Sequence, residues 1–218
     1  MLLAIYGSGG LGREVLDLAK AVNKTAEVWD RYVFIDDAKP EPVVSGTVVL
    51  TFEEFEATFN PASAKVVVAV GEPQIRHMLR DKIASSNFAL QTLVHPGAFI
   101  GTDTCIGEGS IVQYGCFVSC NINIGANVLL QPNASVGHDC EIGSDAVLST
   151  YTSVSGVCKI GERTYIGVSV PIKEHISVGA DTIIGMGSVV LRDIPGNVVA
   201  IGNPARPMRN NDNGRVFK

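Results

Sequence analysis

A chain of 218 residues, 46% hydrophobic and 18% charged, has room for one large domain or two small ones around a sizeable core. A net charge of −5 without any basic run argues against nucleic acid as a partner, and no apolar run approaches the roughly 20 residues of a membrane span. Aromatic residues make up only 6% while glycine occurs 23 times, so tight turns and aliphatic packing are expected.

The first segment, "MLLAIYGSGGLGREVLDLAKAV", has no basic n-region and no cleavage-site pattern, so no signal peptide is expected. It reads as a short apolar strand, then Gly7-x-Gly9-x-x-Gly12, then a helix with Leu11, Val15, Leu18 and Val22 on its buried face. Further strands are expected at 32–36, 65–70 and 88–94. A helix between the last two has Ile75, Met78, Leu79 and Ile83 on one side. This alternation implies a small parallel sheet with flanking helices, a Rossmann-like α/β unit over residues 1–93.

The glycine motif alone is weak evidence, but a preceding strand and a following helix raise its value. Asp36 and Asp37 end the next strand, where a carboxylate can read a ribose or base. The unit is only about one mononucleotide-binding half in size, so a nucleotide-linked sugar fits it better than NAD. The plain alternative is a packing turn with surface aspartates.

From Val94 to Val190, every sixth residue is aliphatic, seventeen positions in all. The position four further on, from Ala98 to Ser188, holds nothing charged or large and polar. The residue after the aliphatic one is often glycine, as at Gly101, Gly107, Gly125 and Gly137. This is a hexapeptide repeat, the signature of a parallel β-helix, with both regular positions facing inward. The recurrent glycine suits a corner where φ turns positive. Cys116, Cys140 and Cys158 take the small inward position and read as core residues; Cys105 and Cys120 lie elsewhere in the repeat. Five cysteines with no C-x-x-C pair suggest free thiols in a reducing cytoplasm, and no metal site is expected.

In "VGHDCEIGSDAV", His138 and Asp139 are the third and fourth residues of their unit, so neither points inward. A titratable pair on the outside of a packing repeat is a candidate for chemistry. Of the remaining histidines, His77 falls on the polar side of its helix, His95 sits at the junction in a structural role, and His175 points outward.

Residues 94–207 resemble the left-handed β-helix of hexapeptide acyltransferases, and the tail "IGNPARPM" resembles the place where those chains leave the prism beside coenzyme A. The whole chain resembles the acetyltransferases of nucleotide-linked amino sugars and sialic acids, in which a Rossmann-like domain (here 1–93) precedes a left-handed parallel β-helix (here 94–218, with a C-terminal tail). The handedness comes from the resemblance, not from the period.

The resemblance implies an acetyl-CoA-dependent enzyme, with acetyl-CoA as cosubstrate, working as a cytoplasmic homotrimer in glycan assembly. By that carry-over Gly7, Ser8, Gly9, Gly10, Asp36 and Asp37 hold the nucleotide, joined by Gly71 of "AVGEP". "GHDCEIG" resembles the family segment whose histidine carries catalysis, which makes His138 the general base. Asp139 either orients the ring or favours imidazolium. Gly156 is the candidate oxyanion donor, and Gly167, Val168, Gly185, Met186 and Pro204 are candidates with it along a coenzyme A groove between chains. The leading expectation is direct acetyl transfer to the amino group of a nucleotide-linked 4-amino-deoxysugar. The rivals are O-acetylation of a sialic acid or related sugar, a catalytically silent scaffold, and an NAD oxidoreductase, the last disfavoured by the short first domain.

Overall fold

The computed structural model describes residues 1–38 and 41–217. The N-terminal part runs β1 (Leu2–Tyr6), α1 (Gly10–Ala26), β2 (Arg31–Ile35), β3 (Val43–Val44), β4 (Thr47–Leu50), α2 (Phe52–Thr58), β5 (Ala64–Val68), α3 (Pro73–Ser85) and β6 (Ala89–Leu90). These strands form one sheet in the order β3-β4-β2-β1-β5-β6. All pairings are parallel except the β3–β4 hairpin. All five residues of β1 are buried, as expected of a central strand covered on both faces. Val15, Leu16 and Ala19 of α1 pack on one face, and Phe52, Phe55 and Ile83 of α2 and α3 on the other.

Three of these elements have no counterpart in the sequence reading: β3, β4 and α2. The signal for α2 is nevertheless present in "TFEE". The Thr51 hydroxyl accepts the Glu54 N–H at 3.2 Å, and the Glu54 carboxylate accepts the Thr51 N–H at 2.8 Å, a reciprocal cap. Two expectations need correction. The stretch 88–94 is not one strand: Ala89–Leu90 closes the first sheet, and Leu93–Val94 opens the next structure. In α3 the buried side is set by Arg76 and Ile83, while Met78 is 61% exposed. The helix is turned so that a guanidinium, rather than Met78, faces the rest of the molecule.

From Leu93 the chain coils into a three-sided prism. Each strand pairs in parallel with the strand 18 residues on, as in Val112 with Leu130, Val118 with Val136 and Ile124 with Ile142. The first face runs from Leu93–Val94 to Ile183–Ile184 and is capped by Val198–Gly202 and the antiparallel Ala205–Asn210. The second runs from Phe99–Ile100 to Pro171–Ile172, and the third from Cys105–Ile106 to Ser177–Val178. The aliphatic positions from Val112 to Val190 are all buried in one core, with Val94, Ile100 and Ile106 half-covered at the first coil. Hydroxyls and thiols at the small inward position donate to a carbonyl of the next coil: Thr164 to Gly179 at 2.8 Å, Thr152 to Gly167 at 3.1 Å and Cys140 to Ser155 at 3.2 Å.

The glycines have a different role from the one expected. Positive φ falls two residues after the glycine position, at Asn121, Asn127, Asn133, Asp139 and Asp145, and even at Tyr151 and Val157. Asn and Asp tolerate that conformation best among residues with a side chain. The glycine is needed for close approach of coil to coil. A Cβ on Gly161 would sit 2.3 Å from the Ala180 backbone N, and one on Gly143 would sit 2.4 Å from the Glu162 N.

The N-terminal sheet docks on the first face. Outward residues of that face, Leu93, Ile111, Leu129 and Val147, share one buried cluster with Leu3, Val15 and Leu18, and Tyr165 packs against it. A polar latch lies beside it. Arg76 is fully buried, and its five N–H groups donate to the Val68 and Val70 carbonyls (2.8 and 3.0 Å) and to Asn127 (carbonyl 2.9 and 2.6 Å; Oδ1 2.8 Å). Burial lowers the Arg76 pKa, and the nearby Asp145 carboxylate opposes that shift. Asp145, also fully buried, accepts from Asn127 at 2.8 Å and pairs with Arg80 at 2.8 Å and His77 at 3.1 Å. His77 is therefore part of the joint between the two halves, not a solvated side chain.

Candidate active site

His138 lies in the turn between Ser135–Val136 of the second face and Glu141–Ile142 of the third. Its side chain is 58% exposed and that of Asp139 is 46% exposed, as the register requires. Asp139 adopts φ 59°, which swings its carboxylate back onto its neighbour. His138 Nδ1 and Asp139 Oδ2 are 2.6 Å apart, and Asn121 Nδ2 donates to the other oxygen at 2.5 Å. Hydrogen bonds from Asn121 and then from His138 hold the Asp139 carboxyl below its usual pKa. An ionised, acceptor-only Asp139 fixes the proton on Nδ1, leaving the Nε2 lone pair outward.

One coil further on, Gly156 lies beneath the ring. A Cβ there would stand 2.6 Å from His138 Nε2, so the imidazole seat exists only because residue 156 is glycine. The His138 carbonyl accepts the Val157 N–H at 2.8 Å, while the Gly156 N–H has no acceptor among the described residues. Burial pushes the Cys116 and Cys140 thiols up to about 11 and raises Cys158 as well, so none of the three is a ready nucleophile.

The glycine loop sits at the C-terminal end of β1. Gly7 has φ +111°, and a Cβ there would press on the Ala69 carbonyl at 2.8 Å. Gly12 is packed against the Gly7 carbonyl, whereas a Cβ on Gly9 or Gly10 would meet nothing within 4 Å. Gly9 caps α1, and no side chain caps the helix in its place. Asp36 is engaged with this loop: one oxygen accepts the Ser8 N–H (3.1 Å) and hydroxyl (2.5 Å), the other the Ala38 N–H (3.1 Å). Asp37 accepts from Tyr6 (2.5 Å), Lys82 (2.8 Å) and the Phe52 N–H (2.9 Å). Burial raises the Asp37 pKa, but the bonds from Lys82, Tyr6 and Phe52 outweigh it and hold it below the usual carboxylate range. Burial, followed by Asp37 itself, raises the Tyr6 phenol. Gly71 follows β5, on the other side of β1 from Asp36 and Asp37.

The remaining candidates fall on a different edge from His138. Gly167 and Val168 follow the first-face strand Tyr165–Ile166, and Gly185 and Met186 follow Ile183–Ile184, so all four line the corner between the first and second faces. Pro204, after a cis peptide bond, turns between the last two strands nearby. Gly167 and Gly185 do not leave room for a ligand over the backbone. A Cβ there would meet the Met186 N and the Ile201 side chain, both at 2.5 Å. Exposed Met186 and Val168 instead give this corner an apolar surface. His95 accepts the Gly97 N–H at 2.8 Å and packs edge-on against Tyr114, while His175 is exposed.

Sequence reasoning missed Tyr6, Lys82, Arg76 and the outward stripe Leu93, Ile111, Leu129, Val147. That stripe is legible as an 18-residue apolar period, and the equivalent third-face positions, Asn123, Glu141, Lys159 and Ser177, are polar.

Residues 2–83 match the PglD N-terminal domain family, and residues 121–156 match the bacterial transferase hexapeptide (six repeats) family. No curated protein matches the chain. The acetyltransferase domain of PglB from Neisseria gonorrhoeae FA1090 is 32% identical with a TM-score of 0.89, over 95% of this chain and 99% of that one. It is also known in complex with acetyl coenzyme A, where it is 31% identical with a TM-score of 0.88 over 95% and 98% of the two chains. A histidine-to-asparagine mutant of perosamine N-acetyltransferase from Caulobacter crescentus, in complex with CoA and GDP-perosamine, is 29% identical with a TM-score of 0.88 over 96% and 98%. With its prism, its PglD-type domain and these relatives, the chain belongs to the acetyl-CoA-dependent sugar acetyltransferases built on a left-handed hexapeptide-repeat β-helix.

Proposed function

We propose that the chain acetylates the amino group of a nucleotide-linked 4-amino-deoxysugar, with residues 1–93 binding the nucleotide and residues 94–218 carrying the chemistry. The observation that carries this reading is the open, uncapped N-terminus of α1 at Gly9 and Gly10, which suits a diphosphate through its N–H groups and helix dipole. Arg13, exposed in the same turn, adds a positive charge. Asp36 and Asp37 contribute mainly by shaping the loop, since their oxygens already hold Ser8, Tyr6 and Lys82. The perosamine enzyme, crystallised with GDP-perosamine, supports a nucleotide amino sugar as the acceptor class.

In the mechanism, the acceptor amine attacks the thioester carbonyl of acetyl-CoA. A C–N bond forms, the C–S bond breaks, His138 Nε2 takes the amine proton, and that proton passes to the departing thiolate. Asp139 holds the ring and offsets the charge of the imidazolium. The unpartnered Gly156 N–H is the donor assigned to the developing oxyanion.

The site is assembled between chains. Within one chain the N-terminal domain covers the first face, and His138 stands on the opposite edge, between the second and third faces. An acceptor held at Gly9 is thus on the wrong side of its own prism. A cytoplasmic homotrimer supplies a neighbour's edge. The exposed, stacked Phe99 and Phe117 on the second face, with ring centroids 4.9 Å apart, are an apolar patch suited to such packing.

The test is acetyl transfer to a panel of GDP- and UDP-linked 4-amino sugars and free sialic acid, read by mass spectrometry. Free GDP or UDP is expected to compete with the acceptor and not with acetyl-CoA. If free sialic acid is the best acceptor and neither nucleotide inhibits, the sugar O-acetyltransferase reading replaces this one. A second expectation follows from the seat under His138. Gly156→Ala should keep the fold, since its nearest neighbour is a movable ring, yet lower kcat by about tenfold or more by displacing Nε2. Unchanged kcat in a folded Gly156→Ala variant would show that the ring position is immaterial.

A further inference from the structure

Glu72 is a buried carboxylate that the reaction does not use. Its side chain is 7% exposed, at the start of α3. It accepts the Val216 N–H at 2.7 Å and the Phe217 N–H at 3.1 Å, and Arg215 Nε stands 3.9 Å away. Burying a carboxylate is costly unless such donors satisfy it, so this contact fixes where the tail runs.

The tail it fixes carries an aromatic ring to a particular place. Phe217 Cε2 lies 3.7 Å from where a Gly71 Cβ would be, and Leu11 of the first turn of α1 lies 4.0 Å from the same point. The ring meets Tyr165 edge-on, with centroids 5.7 Å apart, and Phe217 remains 51% exposed. It therefore stands beside Gly71, at the end of β5 next to the strand that carries the glycine loop, with an open apolar surface.

The sheet order gives that position a meaning. In β2-β1-β5 the glycine loop follows the middle strand. Asp36 and Asp37 follow β2 on one side, and Gly71 with Phe217 follows β5 on the other. In Rossmann-like sheets the strand after the glycine loop faces the ribose, so a diphosphate seated at Gly9 and Gly10 would have its nucleoside toward β2 and its sugar toward β5. We propose that Phe217, held by Glu72, is a specificity-determining wall of the acceptor site on its sugar side, packing on the apolar face of the deoxysugar ring. This rests on the reading that the glycine loop holds a nucleotide diphosphate.

Aromatic packing of this kind is worth about a tenfold change in affinity. The experiment uses the full chain with GDP-perosamine and a UDP-linked 4-amino-4,6-dideoxyhexose, whichever is turned over. Phe217→Ala is expected to raise KM for that acceptor about tenfold, with KM for acetyl-CoA, the affinity for free GDP or UDP by calorimetry, and Tm all unchanged. Phe217→Tyr should restore the wild-type KM, and Glu72→Ala should reproduce the defect. An unchanged acceptor KM in Phe217→Ala overturns the proposal, as does an equal loss of affinity for the free nucleotide, which would put the ring on the nucleoside side. If the unmodified protein binds neither GDP nor UDP, the underlying nucleotide reading fails, and that result is separate from any effect of the variants.

Discussion

His138→Ala is expected to lower kcat by about 10²–10⁴-fold, the range for losing a general base. The reason is local. Nδ1 is committed to Asp139 at 2.6 Å, so Nε2 is the one basic atom the pair presents outward. Removing the ring should leave the core intact, because the side chain is more than half exposed and the backbone bond from Val157 to the His138 carbonyl is unaffected. Acetyl-CoA affinity should change little. Thiol release measured alongside a thermal melt checks both. A well-folded variant with near-normal turnover would remove His138 from the mechanism.

Two dead proteins should make a live one. A Cβ on Gly9 would meet nothing within 4 Å, so Gly9→Val should fold, and by filling the open space above the N-terminus of α1 it should fail to hold the acceptor. His138→Ala should hold the acceptor and fail to deprotonate it. Co-expressed in equal amounts and assembled at random in a closed ring, the two chains pair an intact loop with a neighbour's intact histidine at about one site in four. Activity of the mixed assembly is then expected near a quarter of wild type, against almost none for either parent. Complementation would fail if each chain used its own histidine. Sedimentation of the same sample gives the number of chains.

The β-helix is legible in the sequence because its constraint is periodic. Seventeen aliphatic residues in one register leave no other assignment, and all either belong to the core that forms or, at Val94, Ile100 and Ile106, pack against its open end. The outward direction of His138 follows from the same arithmetic. What is not legible is whatever depends on two distant segments meeting. The sequence points to the recurrent glycine for the bend, but the bend comes two residues later and is taken mostly by residues with a side chain, Asn, Asp and even Val157, with glycine there only at Gly109, Gly115 and Gly187. The contact that requires glycine at 161 comes from the next coil. Arg76 breaks the helical pattern of α3, because its partners, Asn127 and the strand-end carbonyls, are remote in sequence or lie outside any helical spacing. Asp36 and Asp37 stand out by position, yet their engagement with Ser8, Tyr6 and Lys82 is a property of the folded loop.

The Arg76 latch bears on how the molecule moves. To swing the N-terminal sheet away from the prism, a fully buried guanidinium would have to give up its bonds to Asn127, and Asp145 would be left to face the opening gap. A hinge is not built that way. The two halves should tumble and melt as one body, so the travel needed during turnover falls to the ligands themselves. The glycine loop is then fixed relative to its own prism, and the packing of one prism on the next sets how far an acceptor held there must reach to a neighbour's His138, so on the proposed reading an acceptor is measured by its length as well as by its groups.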